Sequence, residues 1–229
     1  MSRVLVVYGS ETGGTKENVL SIVSDWKATT NFNVTCLTGN EAAGKFDTIT
    51  TDNYDFLVVA TSSYGDGDAP ANYGKFLYCL QNAASTSSGA LSGLQHAVLG
   101  RGSTAYDTYM NCSRLTDRAL GRCGSRRCVQ RGESDEMADD EGQGAQSKWL
   151  ESVTAAIKEG KGTATDDEVC DWDQPEDTVF EKDLGPDGEQ RDVAQANASG
   201  NGKIPALIAA AVAFSYYWFV VRASEEESE

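Results

Sequence analysis

The chain has 229 residues, an apolar content of 40% and a formal net charge of −16, which suit one packed domain with additional acidic segments. A chain with this charge is a poor binder of nucleic acid, because phosphate contacts need clustered Lys and Arg. Six cysteines without a C-x-x-C spacing and a single histidine give little basis for a metal site.

Apolar runs of strand type alternate with stretches of helical spacing along residues 4–157. Strands are predicted at residues 4–8, 32–37, 54–60 and 97–99, with a short fifth strand near Cys128. Helices are predicted at residues 15–26, 73–80, 106–120 and 149–157. Because the strands are apolar on both faces, the pattern predicts an α/β fold whose parallel sheet is covered by helices on both sides.

Composition changes after the predicted domain, which we place at residues 1–163. Residues 164–203 are rich in Asp, Glu, Gly and Asn, which predicts a disordered acidic linker. Residues 204–221 carry no charge and would span about 27 Å as a helix, close to the hydrocarbon thickness of a bilayer. They are predicted to form a transmembrane helix, followed by a short acidic tail at residues 222–229. A buried core helix is the alternative, but the flanking polar segments leave it no core to join.

The position of this apolar run near the end of the chain predicts a topology. Insertion would follow synthesis, so the folded domain would stay in the cytosol. We therefore expect a tail-anchored, single-pass membrane protein with a cytosolic N-terminal domain. The acidic tail favours the endoplasmic reticulum over mitochondria or peroxisomes.

Three loops rich in glycine, hydroxyl and aromatic residues directly follow predicted strands. The first, "YGSETGGT", precedes a helix, a setting that favours a single monophosphate. The second, "ATSSYGDGDAPANYGKF", and the third, "LGRGSTAYDTY", contribute Tyr64 and Tyr106 as faces for a flat ring. Each loop alone could be an ordinary turn with a surface tyrosine. Because ligands of open α/β sheets bind outside the carboxyl ends of the strands, the three together predict one site.

These loops resemble those of flavodoxins, and in particular the FMN domain of cytochrome P450 reductase-type diflavin reductases. The resemblance covers about residues 3–160 and implies a flavodoxin-like, doubly wound, five-stranded parallel sheet in the order 2-1-3-4-5. It also implies FMN as cofactor, with the phosphate on the first loop and the ring between Tyr64 and Tyr106. The implied FMN-binding residues are Ser10, Glu11, Thr12, Gly13, Gly14, Thr15, Ser62, Ser63, Tyr64, Gly65, Gly67, Gly102, Tyr106 and Asp135.

The third and fifth strand ends depart from the family pattern. Arg101 stands where an apolar residue is usual, Ser103 where Asn is common, and Ser134 replaces a glycine. A cation near the ring should favour the anionic reduced flavin. These departures therefore concern the redox potential more than the binding of the flavin.

A cluster of arginines and the lone histidine are harder to interpret. The arginines form either a solvated helix face or a basic docking patch beside the loops. They are Arg114, Arg118, Arg122, Arg126, Arg127 and Arg131. His96 is interpreted as a structural residue that precedes a strand.

The leading functional hypothesis is a membrane-anchored electron carrier. It would take electrons from a separate reductase and pass them to an acceptor protein, because NADPH and FAD modules do not fit in the remaining residues. No catalytic residue is needed, since the flavin carries the redox chemistry. The alternative is a membrane-bound FMN-dependent quinone or small-molecule reductase with a nicotinamide donor, which tyrosines over both ring faces disfavour. A flavin-free scaffold is a third hypothesis, and the intact set of loops argues against it.

Overall fold

The computed structural model describes residues 1–86, 89–160 and 179–191. Within them, six strands form one sheet: β1 (Arg3–Gly9), β2 (Asn33–Thr38), β3 (Phe56–Ser62), β4 (Gln95–Gly102), β5 (Arg126–Arg127) and β6 (Gly132–Asp135). The α-helices of the described residues are α1 (Gly14–Thr29), α2 (Gly39–Ala43), α3 (Gly74–Thr86), α4 (Asn111–Arg122) and α5 (Asp139–Glu159). A short 3-10 helix lies at Phe46–Thr48.

The strand order is β2-β1-β3-β4-β5, and β6 also pairs with β4. Every pairing is parallel, so the predicted order 2-1-3-4-5 is confirmed. The fifth strand differs from the prediction because it is divided into β5 and β6, with Cys128 between them. The chain leaves the ladder where Cys128 and Val129 are buried in the core.

Side chains of the central strands alternate between two cores, one on each face of the sheet. Val6 and Val58 belong to the core that includes residues of α1 and α5. Val7 and Val59 belong to the core that includes residues of α3 and α4. Burial on both faces explains why these strands read as continuous apolar runs, and it leaves the loops at the carboxyl ends of the strands as the place for function.

Helix bounds differ from the prediction, and one helix was not predicted. Helix α5 begins at Asp139, before the predicted start at residue 149. The helix expected from Tyr106 begins at Asn111, because Met110 has a left-handed φ of 59° that interrupts helical backbone before it. The short helix α2 was not predicted from the apolar pattern. It is started by a capping box in which Thr38 and Glu41 satisfy each other's backbone N–H groups.

Residues 179–191, here named the return segment, fold back onto the domain although they fall in the predicted disordered linker. Leu184 is buried in the core on the α3 and α4 side, and Val179 packs against the same core. Lys182 Nζ lies 2.9 Å from Asp68 Oδ1. The compact unit therefore extends to Gln190. The linker prediction does not hold for these residues, because their apolar and ionic contacts offset the entropy lost on ordering.

The remainder of the predicted linker, the apolar residues 204–221 and the acidic tail lie outside the described residues. Among the helices that the structure describes, none is long and apolar enough to cross a bilayer. The membrane span therefore stays a prediction from the sequence.

Candidate functional site

Three loops meet at the carboxyl edge of the sheet and enclose a cavity of about 380 Å³. They are the hydroxyl loop (residues 10–13) after β1, the Tyr64 loop (residues 63–68) after β3, and the Tyr106 loop (residues 103–110) after β4. A volume of this size is typical of small-molecule and cofactor sites. The position matches the rule that open α/β sheets bind ligands beyond the carboxyl ends of their strands.

The hydroxyl loop is held in a shape that leaves the start of α1 open. Ser10 Oγ accepts a hydrogen bond of 3.1 Å from Gly13 N, and Ser10 N donates to Asn72 Oδ1 at 2.9 Å. Gly13 has a φ of 103°, and no side chain caps the first turn of α1. The N–H groups at a helix N-terminus need acceptors and attract anions. This loop therefore suits a phosphate.

The Tyr64 loop is a tight turn that presents its tyrosine to the cavity. Tyr64 N donates to Asp68 O at 3.0 Å, and Asp68 N donates back to Tyr64 O at 2.7 Å. Gly67 has a φ of 85°, and a Cβ there would lie 2.8 Å from the Cβ of Thr108. Only glycine meets both demands, since other residues disfavour this φ and lack the space. The turn leaves 55% of Tyr64 exposed.

Asn111 connects the Tyr64 loop to the return segment. Its amide Nδ2 donates to Gly67 O at 2.9 Å and to Phe180 O at 3.0 Å. Its Oδ1 accepts from Phe180 N at 2.7 Å. Asn111 is buried, so these bonds replace water for three backbone groups. The return segment therefore braces the Tyr64 loop through Asn111, which is not among the residues that line the cavity.

The Tyr106 loop supplies a second exposed ring. Tyr106 is 63% exposed, and its N–H donates to Ser103 O at 3.1 Å. Tyr109 lies behind it, half-buried, with the Arg114 guanidinium 5.8 Å from its ring centre. Burial, with the nearby carboxylates of Glu133 and Asp135, raises the pKa of Tyr109 to about 12. Tyr109 is thus a neutral supporting ring, and Tyr106 is free to contact a ligand.

The structure separates the predicted site residues into two groups. Those that line the cavity are Glu11, Thr12, Ser62, Ser63, Tyr64, Gly65, Gly102 and Tyr106. Those that do not are Ser10, Gly13, Gly14, Thr15, Gly67 and Asp135. Several of the second group set the shape of the loops, as Ser10, Gly13 and Gly67 do. Their contact with a cofactor stays a prediction.

Asp135 supports the Tyr106 loop. It accepts hydrogen bonds from the backbone N–H and the hydroxyl of Thr104, at 3.1 and 2.7 Å, and from Met137 N at 2.9 Å. The bond from Met137, followed by those from Thr104, lowers the pKa of Asp135. Its neighbour Glu136 lines the cavity, whereas Asp135 does not.

The cavity also has lining residues that motif spacing did not select. They are Arg101, Ser103, Thr108, Tyr109, Met110 and Glu136. Arg101 and Ser103 had been noted only as departures from the family pattern. The available signal was position alone, since each of the six lies at the end of a strand or in the segment that follows it.

The arginine cluster is divided between exposed members, Arg122 and Arg126, and members that are buried or paired with acids. Arg127 is 1% exposed and lies 2.5 Å from Asp117, and Arg131 lies 2.8 Å from the same carboxylate. Arg114 pairs with Glu133 at 2.9 Å. The sequence left both interpretations open, and neither applies to these three arginines, because their partner acids lie on other turns and strands, where spacing does not reveal them.

His96 is structural as expected, but it lies within β4 and not before it. It is fully buried, with Nε2 3.1 Å from Asp117 Oδ1 and Nδ1 2.9 Å from Ser125 Oγ. Burial alone would raise the pKa of Asp117. The hydrogen bond from His96 and the charges around it outweigh burial and hold that pKa well below its usual value. We name Asp117, His96, Arg127 and Arg131 the buried charge network.

Comparison with known proteins agrees with this geometry. The family model described as flavodoxin matches residues 6–149. The chain is similar to the NADPH–cytochrome P450 reductase of Phanerodontia chrysosporium, with 28% identity over 78% of the chain and 25% of that protein. It is similar to the sulfite reductase flavoprotein alpha-component of Mannheimia succiniciproducens, with 28% identity over 68% of the chain and 24% of that protein. The chain thus spans no more than about a quarter of these relatives.

Solved structures show the same fold. A flavodoxin from Streptococcus pneumoniae superposes with a TM-score of 0.54 and 26% identity, over 67% of this chain and 99% of that one. Oxidised flavodoxin 1 from Bacillus cereus gives a TM-score of 0.51 and 19% identity, over 67% and 98% of the two chains. The residues that the family model matches, 6–149, contain all three loops of the cavity.

Proposed function

The chain belongs to the flavodoxin family, and from this premise we propose that it is a membrane-anchored electron carrier between a separate reductase and an acceptor protein. Its domain is an FMN-binding electron-transfer domain akin to the FMN modules of diflavin reductases. The single observation that carries the proposal is the cavity shared by the three loops, with Tyr64 and Tyr106 exposed on its wall.

The residues of the cavity fit FMN. The uncapped N-terminus of α1 and the hydroxyl of Thr12 suit its phosphate, and the two exposed tyrosines suit a flat ring. Exposed apolar groups that together line a groove often mark a ligand-binding site. When bound, FMN supplies one- and two-electron redox chemistry, while the protein determines its position and electronic environment.

An electron donor and an acceptor are proposed because the relatives that the chain matches are reductases, and the matched part is akin to their FMN modules. Within the described residues, the proposed site requires no acid–base pair or nucleophile. The polypeptide's task is to hold the flavin and to present it to partners. Exposure of both tyrosine rings supports a site that opens toward another protein.

The flavin can be tested on the full chain purified in detergent. We expect flavin absorption bands at one cofactor per chain, and heat should release FMN that chromatography identifies. Recovery of FAD, or no flavin after incubation with FMN, would refute the assignment. In anaerobic solution NADPH alone should leave the flavin oxidised, whereas adding a diflavin-type reductase should reduce it. Direct reduction by NADPH with turnover of a quinone would instead support the reductase alternative.

Membrane attachment is proposed from residues 204–221, an uncharged run between Lys203 and Arg222 that has the length of one span. The favoured location is the endoplasmic reticulum, with the flavin domain in the cytosol. Alkaline carbonate should leave the full chain in the membrane pellet. The matched control is a chain that ends at Gly202, which should become soluble and keep its flavin. Release of the full chain by carbonate would show that the apolar run is not a span.

A further inference from the structure

Arg101 occupies an unusual place at the end of β4. It pairs in register with Ser62 of β3 and Ser134 of β6. It lies on the same face of the strand as Ala97 and Leu99, which is the face packed by α1 and α5. The side chain lines the cavity and is 21% exposed. It is therefore a largely buried cation within the cofactor site.

The surroundings of Arg101 leave its charge poorly satisfied. Its Nε is buried and has no hydrogen-bond partner among the described residues. The carboxylate that it approaches is that of Glu136, at 4.0 Å and itself mostly exposed. A buried donor without a partner is expensive, so the site is incomplete without an acceptor.

The guanidinium also lies at the positive end of a helix. Its Nη1 is 3.5 Å from the point that a Cβ at Gly14 would occupy, and Gly14 is the first residue of α1. A cation at a helix N-terminus is electrostatically unfavourable, and an anion there is favourable. An anion between the hydroxyl loop and Arg101 would relieve both this repulsion and the unpaired donor.

We propose that Arg101 binds the phosphate of FMN, adding a side-chain cation to a loop that otherwise offers hydroxyls and N–H groups. The inference rests on the proposed FMN binding and deepens it. It assigns Arg101 to the phosphate and not to the ring, because the helix N-terminus and the guanidinium lie together. The chain would therefore discriminate more strongly than a cation-free loop between FMN and riboflavin, which lacks the phosphate.

The test is titration of the flavin-free full chain with FMN and with riboflavin, followed by flavin fluorescence. Arg101→Leu should weaken FMN binding about tenfold or more, the loss expected for a charge-assisted contact, and leave riboflavin binding unchanged. It should also reduce the salt dependence of FMN binding. Arg101→Lys should retain most of the affinity for FMN. Lys27→Leu is the matched control, because it removes a cation from the last turn of α1, about 20 Å along the helix from Gly14.

A purely structural role for Arg101 predicts a different pattern. In that case Arg101→Leu would lower the Tm of the flavin-free protein, whereas removal of an unsatisfied cation should leave the Tm equal or higher. Equal losses of FMN and riboflavin affinity, or unchanged FMN affinity, would overturn the proposal. Arg101→Gln, which keeps the length and loses the charge, repeats the test if Arg101→Leu folds poorly. Failure of the wild-type chain to bind FMN at all would overturn the cofactor assignment itself.

Discussion

The two ends of β4 differ in whether their charged side chains have partners. Near its start, His96 joins the buried charge network, in which Asp117 accepts from Arg127 and Arg131 at 2.5 and 2.8 Å. Near its end, Arg101 keeps a buried Nε without a partner among the described residues. We call the start of β4, where the charged groups pair with one another, the closed end, and the end of β4, which borders the cavity, the open end. A network whose charges are paired contributes to the fold, whereas an unpaired buried donor in a cavity indicates a ligand.

The largest expected effect comes from Asp117→Asn, which disrupts the buried charge network at the closed end. The change removes the charge that faces Arg127 and Arg131 and should lower the free energy of unfolding by about 3–5 kcal/mol, as for other buried pairs that lose one partner. FMN affinity of the folded protein should stay nearly unchanged. Urea denaturation and FMN titration measure the two quantities.

The matched control for that change is Asp25→Asn, which neutralises an exposed carboxylate on α1. It should alter stability by no more than about 0.5 kcal/mol. If Asp117→Asn weakens FMN binding as strongly as it weakens the fold, the two ends of β4 are not independent.

Acid should weaken the closed end of β4. The pKa of Asp117 is lowered in the folded state, because the hydrogen bond from His96 and the charges of Arg127 and Arg131 outweigh burial. A carboxyl whose folded pKa is depressed contributes stability above its unfolded pKa of about 4, and loses it as pH falls through the folded pKa. The free energy of unfolding should therefore fall as pH drops below about 4. The fall should be shallower in Asp117→Asn, and equal slopes in both proteins would contradict the assignment.

Two glycine-to-alanine substitutions in the loops beside the open end, Gly13→Ala and Gly67→Ala, should lower stability by different amounts. Gly13→Ala meets nothing within 4 Å, so only its φ of 103° opposes it, at about 1–2 kcal/mol. Gly67→Ala combines a φ of 85° with a clash against Thr108 and Asn111, which adds about 1–3 kcal/mol. Gly67→Ala should therefore cost more stability in denaturation, and it should also weaken FMN binding through the displaced Tyr64 loop. Equal losses of stability would mean that the Tyr64 loop moves to accommodate the added Cβ despite its hydrogen bond from Asn111.

The sheet and the position of the site could be predicted because their signals are local. Strands apolar on both faces indicate a covered parallel sheet, and glycine and hydroxyl strings directly after them indicate a ligand at one edge. The same loops contain the residues that differ most from a simple turn, Tyr64 and Tyr106. Local chemistry was therefore sufficient for the covered parallel sheet and for the position of the site, whereas the strand order and the individual site residues came from the resemblance to flavodoxins.

Features that depend on distant partners could not be predicted. From the sequence Arg127 is interpreted as a surface cation, because its contact with Asp117 forms only in the folded structure. From the sequence the return segment is interpreted as a solvated linker, because Leu184 is isolated among acidic residues. The packing of this segment depends on Asn111, which is distant in the chain. The direction of the Arg101 side chain follows from its register in β4, which the sequence did not define. Each error arose where a tertiary contact decided the outcome.

The smallest expected effect on stability, and the sharpest contrast with Asp117, comes from the two exposed tyrosines. Tyr64→Ala and Tyr106→Ala remove rings that are more than half exposed, so the flavin-free protein should keep its free energy of unfolding within about 0.5 kcal/mol. A ring stacked on FMN contributes about 0.5–1.5 kcal/mol beyond its contact area, so FMN affinity should fall several-fold in each variant. Leu20→Ala, an exposed apolar residue of α1 outside the cavity lining, should change neither quantity. Because riboflavin carries the same ring, its binding should weaken as much as that of FMN, which is the reverse of the pattern expected for Arg101. If both tyrosine variants bind FMN as the wild type does, the rings are ordinary surface residues and the open end of β4 holds its ligand elsewhere.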